Sequence, residues 1–243
     1  MLIDIRILFD NCQGEPAFQS GFGYSCFIKK SYGGILFDTG SNWETLSYNL
    51  KLSEIKPPMI TRVVLSHCHK DHTGGLAGIV DLRDDFNIYA GKSWAENLLK
   101  EEELKKVNLT LVDSESVEIM NGVYLTGELG EQVKEISLVM DTGGGIIIVT
   151  GCAHAGLKEI FKKAKEIVDD KIFALVGGLH LKDKKEEEIF DLIDFLKSEG
   201  VRYIAPSHCT GDLARKLFKE AFHSGFIEAG VGSHIYIGGS CEY

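Results

Sequence analysis

Apolar runs broken by turn residues divide the chain into short strands early and into strand–helix alternation late. Leu2 to Phe9 predicts a strand that ends at Asp10-Asn11-Cys12, and a polar, Gly-containing segment follows to Gly21. Tyr24–Ile28 and Gly34–Phe37 read as a hairpin over Ser31-Tyr32-Gly33, with Asp38-Thr39-Gly40 closing the second strand. Asn42 to Leu52 predicts an amphipathic helix, and Pro57-Pro58 a turn before the strand at Val63. Phe86–Ala90 and Leu109–Val112 read as strands, with a helix from Ser93 to about Leu104 between them. Val117–Met120 and Val123–Thr126 flank Asn121-Gly122, a pair suited to the positive φ angles of a type I′ turn. Ile136–Met140 and Ile146–Thr150 form a further predicted hairpin across the glycines at 143 to 145. Leu157, Ile160, Phe161, Ala164, Ile167 and Val168 share one helical face. Then come a strand at Phe173–Val176, a helix at Glu186–Ser198 with Gly200 past its end, a strand at Tyr203–Ala205 and a helix at Asp212–Phe222. No linker or low-complexity tract interrupts this order, so residues 1–243 are expected to form a single domain. The class is α+β, and the pattern fits two packed sheets with helices on their outer faces.

Composition narrows the function. The 243 residues are 44% hydrophobic and 26% charged, which suits a globular domain that buries its own core. The net charge of −10 comes with no basic block, which argues against nucleic acid as a partner. No run approaches the ~20 apolar residues of a membrane span. The N-terminus enters a strand pattern directly and lacks a signal-peptide layout, so a cytoplasmic protein is expected. The six cysteines, at 12, 26, 68, 152, 209 and 241, show no paired framework and are expected to be reduced thiols.

The chemistry concentrates in Ser66-His67-Cys68-His69-Lys70-Asp71-His72-Thr73-Gly74-Gly75. The apolar run Arg62–Leu65 precedes it as a short buried strand, and Leu76–Leu82 follows as a helix. His67 and His69 lie two apart and point to one side of extended chain. Asp71 and His72 come after the chain has turned and can reach the same space from another direction. Imidazole and carboxylate together suit zinc, manganese or iron. Three further histidines follow strands in small-residue surroundings: His154 in Gly151–Gly156, His180 in Gly177–Leu181 and His208 in Pro206–Gly211. Strand ends on one edge of a sandwich converge, so six of the eight histidines can share a cleft. His223 and His234 lack that context and read as ordinary.

The His-x-His-x-Asp-His block with its Thr-Gly-Gly resembles the signature of the metallo-β-lactamase-fold superfamily. Asp38–Gly40, Ser66–Gly75, Thr150–His154, Gly177–Leu181 and Ser207–Gly211 run in the order of one of its subgroups. That subgroup is named for an archaeal enzyme of methanopterin synthesis, a dihydropteroate-synthase-like transferase. The resemblance implies a four-layer αββα sandwich and two divalent transition metals: zinc first, with manganese or iron as alternatives, or magnesium for the transferase. It implies His67 and His69 as ligands of a first metal, and Asp71, His72 and His208 as ligands of a second. Asp38 would be the aspartate that braces the ligand loop. The superfamily's usual middle Gly-His is missing here; His154 is expected in its place, with Glu128 as a further candidate. The usual bridging aspartate is replaced by Cys152, which either ligates or merely packs. Asp71 is expected to accept a proton as well as ligate, and His180 to contact substrate or donate a proton. The reaction expected first is hydrolysis of a small phosphorylated or ester substrate by a metal-activated water. The alternative is displacement of diphosphate from a pterin by an arylamine, and the second alternative a non-catalytic metal- or ligand-binding protein.

Overall fold

The computed structural model describes residues 2–30, 33–83, 85, 87–95 and 107–238. Strands β1 (Leu2–Phe9), β2 (Ser25–Lys30), β3 (Gly33–Phe37), β4 (Ile60–Leu65), β5 (Asn87–Gly91) and β6 (Asn108–Val112) build one sheet. Strands β7 (Val117–Met120), β8 (Val123–Leu125), β9 (Leu138–Asp141), β10 (Ile146–Thr150), β11 (Ile172–Gly178) and β12 (Tyr203–Ser207) build a second. The chain then returns to the first sheet as β13 (His234–Gly238), antiparallel to β1. The spatial orders are β13-β1-β2-β3-β4-β5-β6 and β12-β11-β10-β9-β8-β7.

Period-two alternation sorts the side chains into layers. Ile3, Ile5, Ile7, Phe37 and Val64 of the first sheet meet Leu125, Leu138, Met140, Ile147 and Val149 of the second. The alternate residues Leu8, Leu36, Val63 and Leu65 face outward onto helices α1 (Trp43–Leu52) and α3 (Leu76–Leu82) through Leu46, Leu50 and Ile79. On the other side Ile146, Ile148, Leu175 and Ile204 pack on α5 (Leu157–Ile167), α6 (Glu186–Ser198) and α7 (Asp212–Phe222). The short helices α2 (Lys70–Thr73) and α4 (Lys92–Ala95) complete the set. This is the αββα sandwich. Strand β10 is buried along its whole length because helices cover one face and the opposite sheet the other.

Asn42 caps α1 by accepting the amide N–H of Thr45 at 2.9 Å, which sets the expected helix one residue later than the apolar pattern does. Of the helix expected from Ser93 to about Leu104, Lys92–Ala95 is helical and the remainder lies outside the described residues, as do Phe86 and the turn residues Ser31 and Tyr32. The strand expected from Ile136 begins at Leu138, because the Ile136 amide donates to the Ser66 carbonyl at 2.8 Å instead of pairing with a neighbouring strand. That bond ties the second sheet to the histidine loop.

The topology places the chemistry. β3 and β4 are parallel, and β1 runs with them because β2 is antiparallel to both β1 and β3. In the second sheet β10, β11 and β12 are mutually parallel. All six strands deliver their C-terminal ends, with Asp10, Asp38, His67, Cys152, His180 and His208 just beyond, to one edge of the sandwich.

Candidate metal centre

Two sets of donor atoms meet at that edge. His67, His69 and His154 bring ring nitrogens within 4.8 Å of one another, and Asp71, His72 and His208 bring a carboxylate oxygen and two ring nitrogens equally close. Asp38 organises both. Fully buried at the end of β3, it accepts the Ser66 amide N–H at 2.7 Å and the Ser66 hydroxyl at 2.8 Å, and its Oδ2 lies 2.7 Å from His72 Nδ1. A carboxylate only accepts, so His72 carries its proton on Nδ1 and turns a bare Nε2 inward. Asn11 Oδ1, 2.7 Å from His208 Nδ1, fixes the same tautomer there. Ser66 donates its hydroxyl proton to Asp38 and can therefore only accept from His67 Nδ1, 2.9 Å away, which leaves His67 Nε2 bare.

The inner donor atoms then face each other. His72 Nε2 stands 3.2 Å from His208 Nε2, 3.5 Å from Asp71 Oδ2 and 3.4 Å from Cys152 Sγ. His67 Nε2 is 3.0 Å from His69 Nδ1, and the buried Nε2 of His154 has no hydrogen-bond partner. Lone pairs packed this closely in a buried site fit divalent transition metals, and the outer partners of the imidazoles are those that orient metal-bound histidines. Protonation states agree. Burial, then His72 and the other imidazoles, push His67 far below the usual histidine range. Burial, then His180 and His69, lower His154 to about 4. Burial pushes Asp71 up, but the imidazoles of His208 and His72 beside it outweigh that and hold the carboxyl at about 2. His67, His154 and Asp71 are thus in metal-binding form at neutral pH, whereas the Asp38 carboxylate raises His72 against its burial.

The second sheet's contribution is held by a residue with no sequence signature. Glu135 is buried, and its carboxylate accepts the amide N–H groups of Gly151, Cys152, Ala153 and His154 at 2.7 to 3.1 Å. It fixes the loop that presents Cys152 and His154, with Ala153 in the left-handed region at φ 60. Gly151 is required at the start of this loop, since a Cβ there would lie 2.3 Å from Ser66 Oγ. Glu135→Ala is expected to weaken metal affinity about 10–100-fold, the usual effect of removing an outer orienting partner. Calorimetric metal titration checks this; wild-type affinity would mean that the loop holds itself.

Glu128 does not join the cluster. Its carboxylate accepts the Ser93 hydroxyl at 2.5 Å and the Ser93 amide at 3.2 Å, which commits it to the start of α4; the candidacy of Glu128 as a ligand is therefore dropped. Cys152 is buried with its sulfur in reach of both His67 and His72, at the junction of the two donor sets. His180 is exposed, at φ 51, with its ring 4.5 Å from that of His154. His234 bonds Asp4 on the far edge of the first sheet, and His223 caps α7. Besides Glu135, sequence reading passed over Asn11 and Cys209. Asn11 gave a partial signal, as a polar residue just past a buried strand; Cys209 lay inside the Ser-His-Cys-Thr-Gly block. The five described cysteines are free thiols.

No helix among the described residues is long and apolar enough to cross a membrane. Residues 20–213 match the metallo-beta-lactamase superfamily. The chain is 32% identical to 7,8-dihydropterin-6-methyl-4-(beta-D-ribofuranosyl)-aminobenzene-5'-phosphate synthase of Methanocaldococcus jannaschii, over 96% of each chain. It is 30% identical to an uncharacterized protein of the same organism, over 96% of this chain and 100% of the other. A solved metal-dependent hydrolase of the beta-lactamase superfamily superposes with a TM-score of 0.81 at 24% identity, over 97% of this chain and 99% of that one. Sandwich, motif order and matches agree: the chain belongs to the metallo-β-lactamase superfamily of metal-dependent enzymes, in the group that resembles the archaeal synthase.

Proposed function

We propose that this chain is a metal-dependent hydrolase of a small phosphorylated or ester substrate, with metals held by His67, His69 and His154 and by Asp71, His72 and His208. The observation that carries the reading is the pair of donor sets side by side, one member of which, His208, lines a cavity of about 920 Å³ together with His180, Phe22 and Lys182. Bound there, divalent metals lower the pKa of a water and stabilise negative charge on a substrate oxygen. The chain's own groups do the rest. Asp71, ionised and half-exposed at the junction, accepts the proton of the attacking nucleophile. His180 stands on the cavity side; the hydrogen bond from its ring to Cys209 raises its pKa against burial, which suits proton donation to a leaving group. Lys182 offers a charge to a phosphate in the cavity.

A second reading is favoured by the synthase relative. In it the same cavity brings an arylamine to a pterin diphosphate, Asp71 takes the proton of the amine, and diphosphate leaves. Metal-reconstituted protein incubated in ¹⁸O-water with phosphomonoester, phosphodiester, lactone and pterin-diphosphate substrates, with and without arylamine, tests both. Label in the product is expected. Coupled product formed only with arylamine would replace hydrolysis by transfer, and no turnover by metal-loaded protein would overturn both.

A further inference from the structure

The donor set beside the two metal positions is larger than they need. Cys152 Sγ, Cys209 Sγ and a ring nitrogen of His180 lie within 4.8 Å of one another, on the cavity side of the cluster. We propose that Cys152, His180 and Cys209 form a third metal position, for a thiophilic divalent cation such as zinc, with its remaining coordination site open to the cavity. The inference adds a third position to the two-metal reading; Cys152 also lies within reach of His67 and His72, and His180, when it ligates here, gives up its role as proton donor to the leaving group.

The topology builds this triad. Thr150 of β10 is registered with Gly177 of β11, and Gly177 with Pro206 of β12. Each of these three adjacent parallel strands supplies one donor two or three residues beyond that row. The local backbone is shaped to seat them. Gly178 has no side chain where a Cβ would lie 2.7 Å from Cys209 Sγ and 2.3 Å from the Gly151 carbonyl oxygen. His180, which meets Cys209 in space, and His208, which precedes it in sequence, both adopt left-handed φ near 50°, a conformation costly for non-glycine residues and concentrated at functional sites. The His180 amide N–H points at Cys209 Sγ at 3.3 Å.

Donor chemistry decides the ligand class. Two thiolates and one imidazole select zinc over magnesium, calcium or manganese, which favour oxygen. Three protein ligands leave a tetrahedral ion one vacant position, the arrangement of catalytic zinc and not of closed structural sites. That vacancy faces a cavity lined by His180 and Cys209, where water or an anionic substrate atom can take it. A metal here needs no proton donor and no oxidant: the thiols release their protons to solvent as the ion binds.

The test uses the whole protein, reduced and reconstituted with zinc or cobalt(II). Wild type is expected to bind one equivalent more than Cys209→Ser or His180→Ala, and cobalt loading to give a sulfur-to-metal charge-transfer band that disappears with that equivalent in Cys209→Ser. Metal should protect both Cys152 and Cys209 from a thiol reagent. His208→Ala should lose a metal and keep the band, which separates this position from the histidine–aspartate pair. Circular dichroism guards against misfolded variants. Unchanged stoichiometry and band in Cys209→Ser, or thiols equally reactive with and without metal, would overturn the proposal.

Discussion

His208→Ala is expected to lower turnover by about 1,000-fold while the protein stays folded. His208 Nε2 lies 3.2 Å from His72 Nε2 and 3.3 Å from Asp71 Oδ2, so its loss opens one wall of the second donor set. Metal stabilisation of a developing charge contributes several kcal/mol, and about 4 kcal/mol corresponds to about 1,000-fold in rate. Stability should change little. The side chain gives up one hydrogen bond, to Asn11, of about 1 kcal/mol, and Tm should move by no more than about 5 °C in a chain of this size. Steady-state kinetics with metal analysis reads the effect; full turnover and full metal content in the variant would remove His208 from the site.

Asp38→Ala is expected to damage both stability and metal binding. The carboxylate is fully buried and holds the Ser66 amide, the Ser66 hydroxyl and His72 Nδ1 at 2.7 to 2.8 Å. His72 is raised above the usual histidine range: burial lowers it, but the Asp38 charge and hydrogen bond outweigh that. Removing one partner of a buried pair costs about 3–5 kcal/mol because the other is left unpaired. At about 2–4 °C per kcal/mol, Tm should fall by roughly 6 to 20 °C. His72 would also lose its fixed tautomer, so metal affinity should fall with stability. Asp38→Asn separates the two effects, since an amide oxygen can still accept from one donor while its NH2 faces another. Thermal melts of both variants, with and without metal, check the expectation; a Tm within 2 °C of wild type for the alanine variant would contradict it.

Much of the fold was legible because its strands sit between two apolar layers and its helices cover one face each. Period-two runs such as Ile3-Ile5-Ile7 and the one-sided stripe Leu157-Ile160-Phe161-Ala164 carry that arrangement locally. What was not legible depends on contacts between distant segments. Ile136 leaves the expected strand because Ser66, far away in sequence, takes its amide. Glu135 looks like any acidic loop residue until four amides of the Gly151–His154 loop are seen to converge on it. Glu128 attracted attention as an acid in the right interval, but a carboxylate goes to the nearest strong donors, and those are at Ser93. The histidines were the easy part, since short spacing after a buried strand fixes where they point. The placement of Cys152 between His67 and His72 follows from the packing of one sheet's strand ends against the other's.

The claim underlying all of this is that the two donor sets hold metal. Anomalous X-ray scattering from crystals of zinc-reconstituted protein tests it most directly. One peak within bonding distance of His67, His69 and His154, and a second within bonding distance of Asp71, His72 and His208, are the expected result. A well-ordered site in which those side chains keep hydrogen-bonding one another, with no anomalous density between them, would contradict the account.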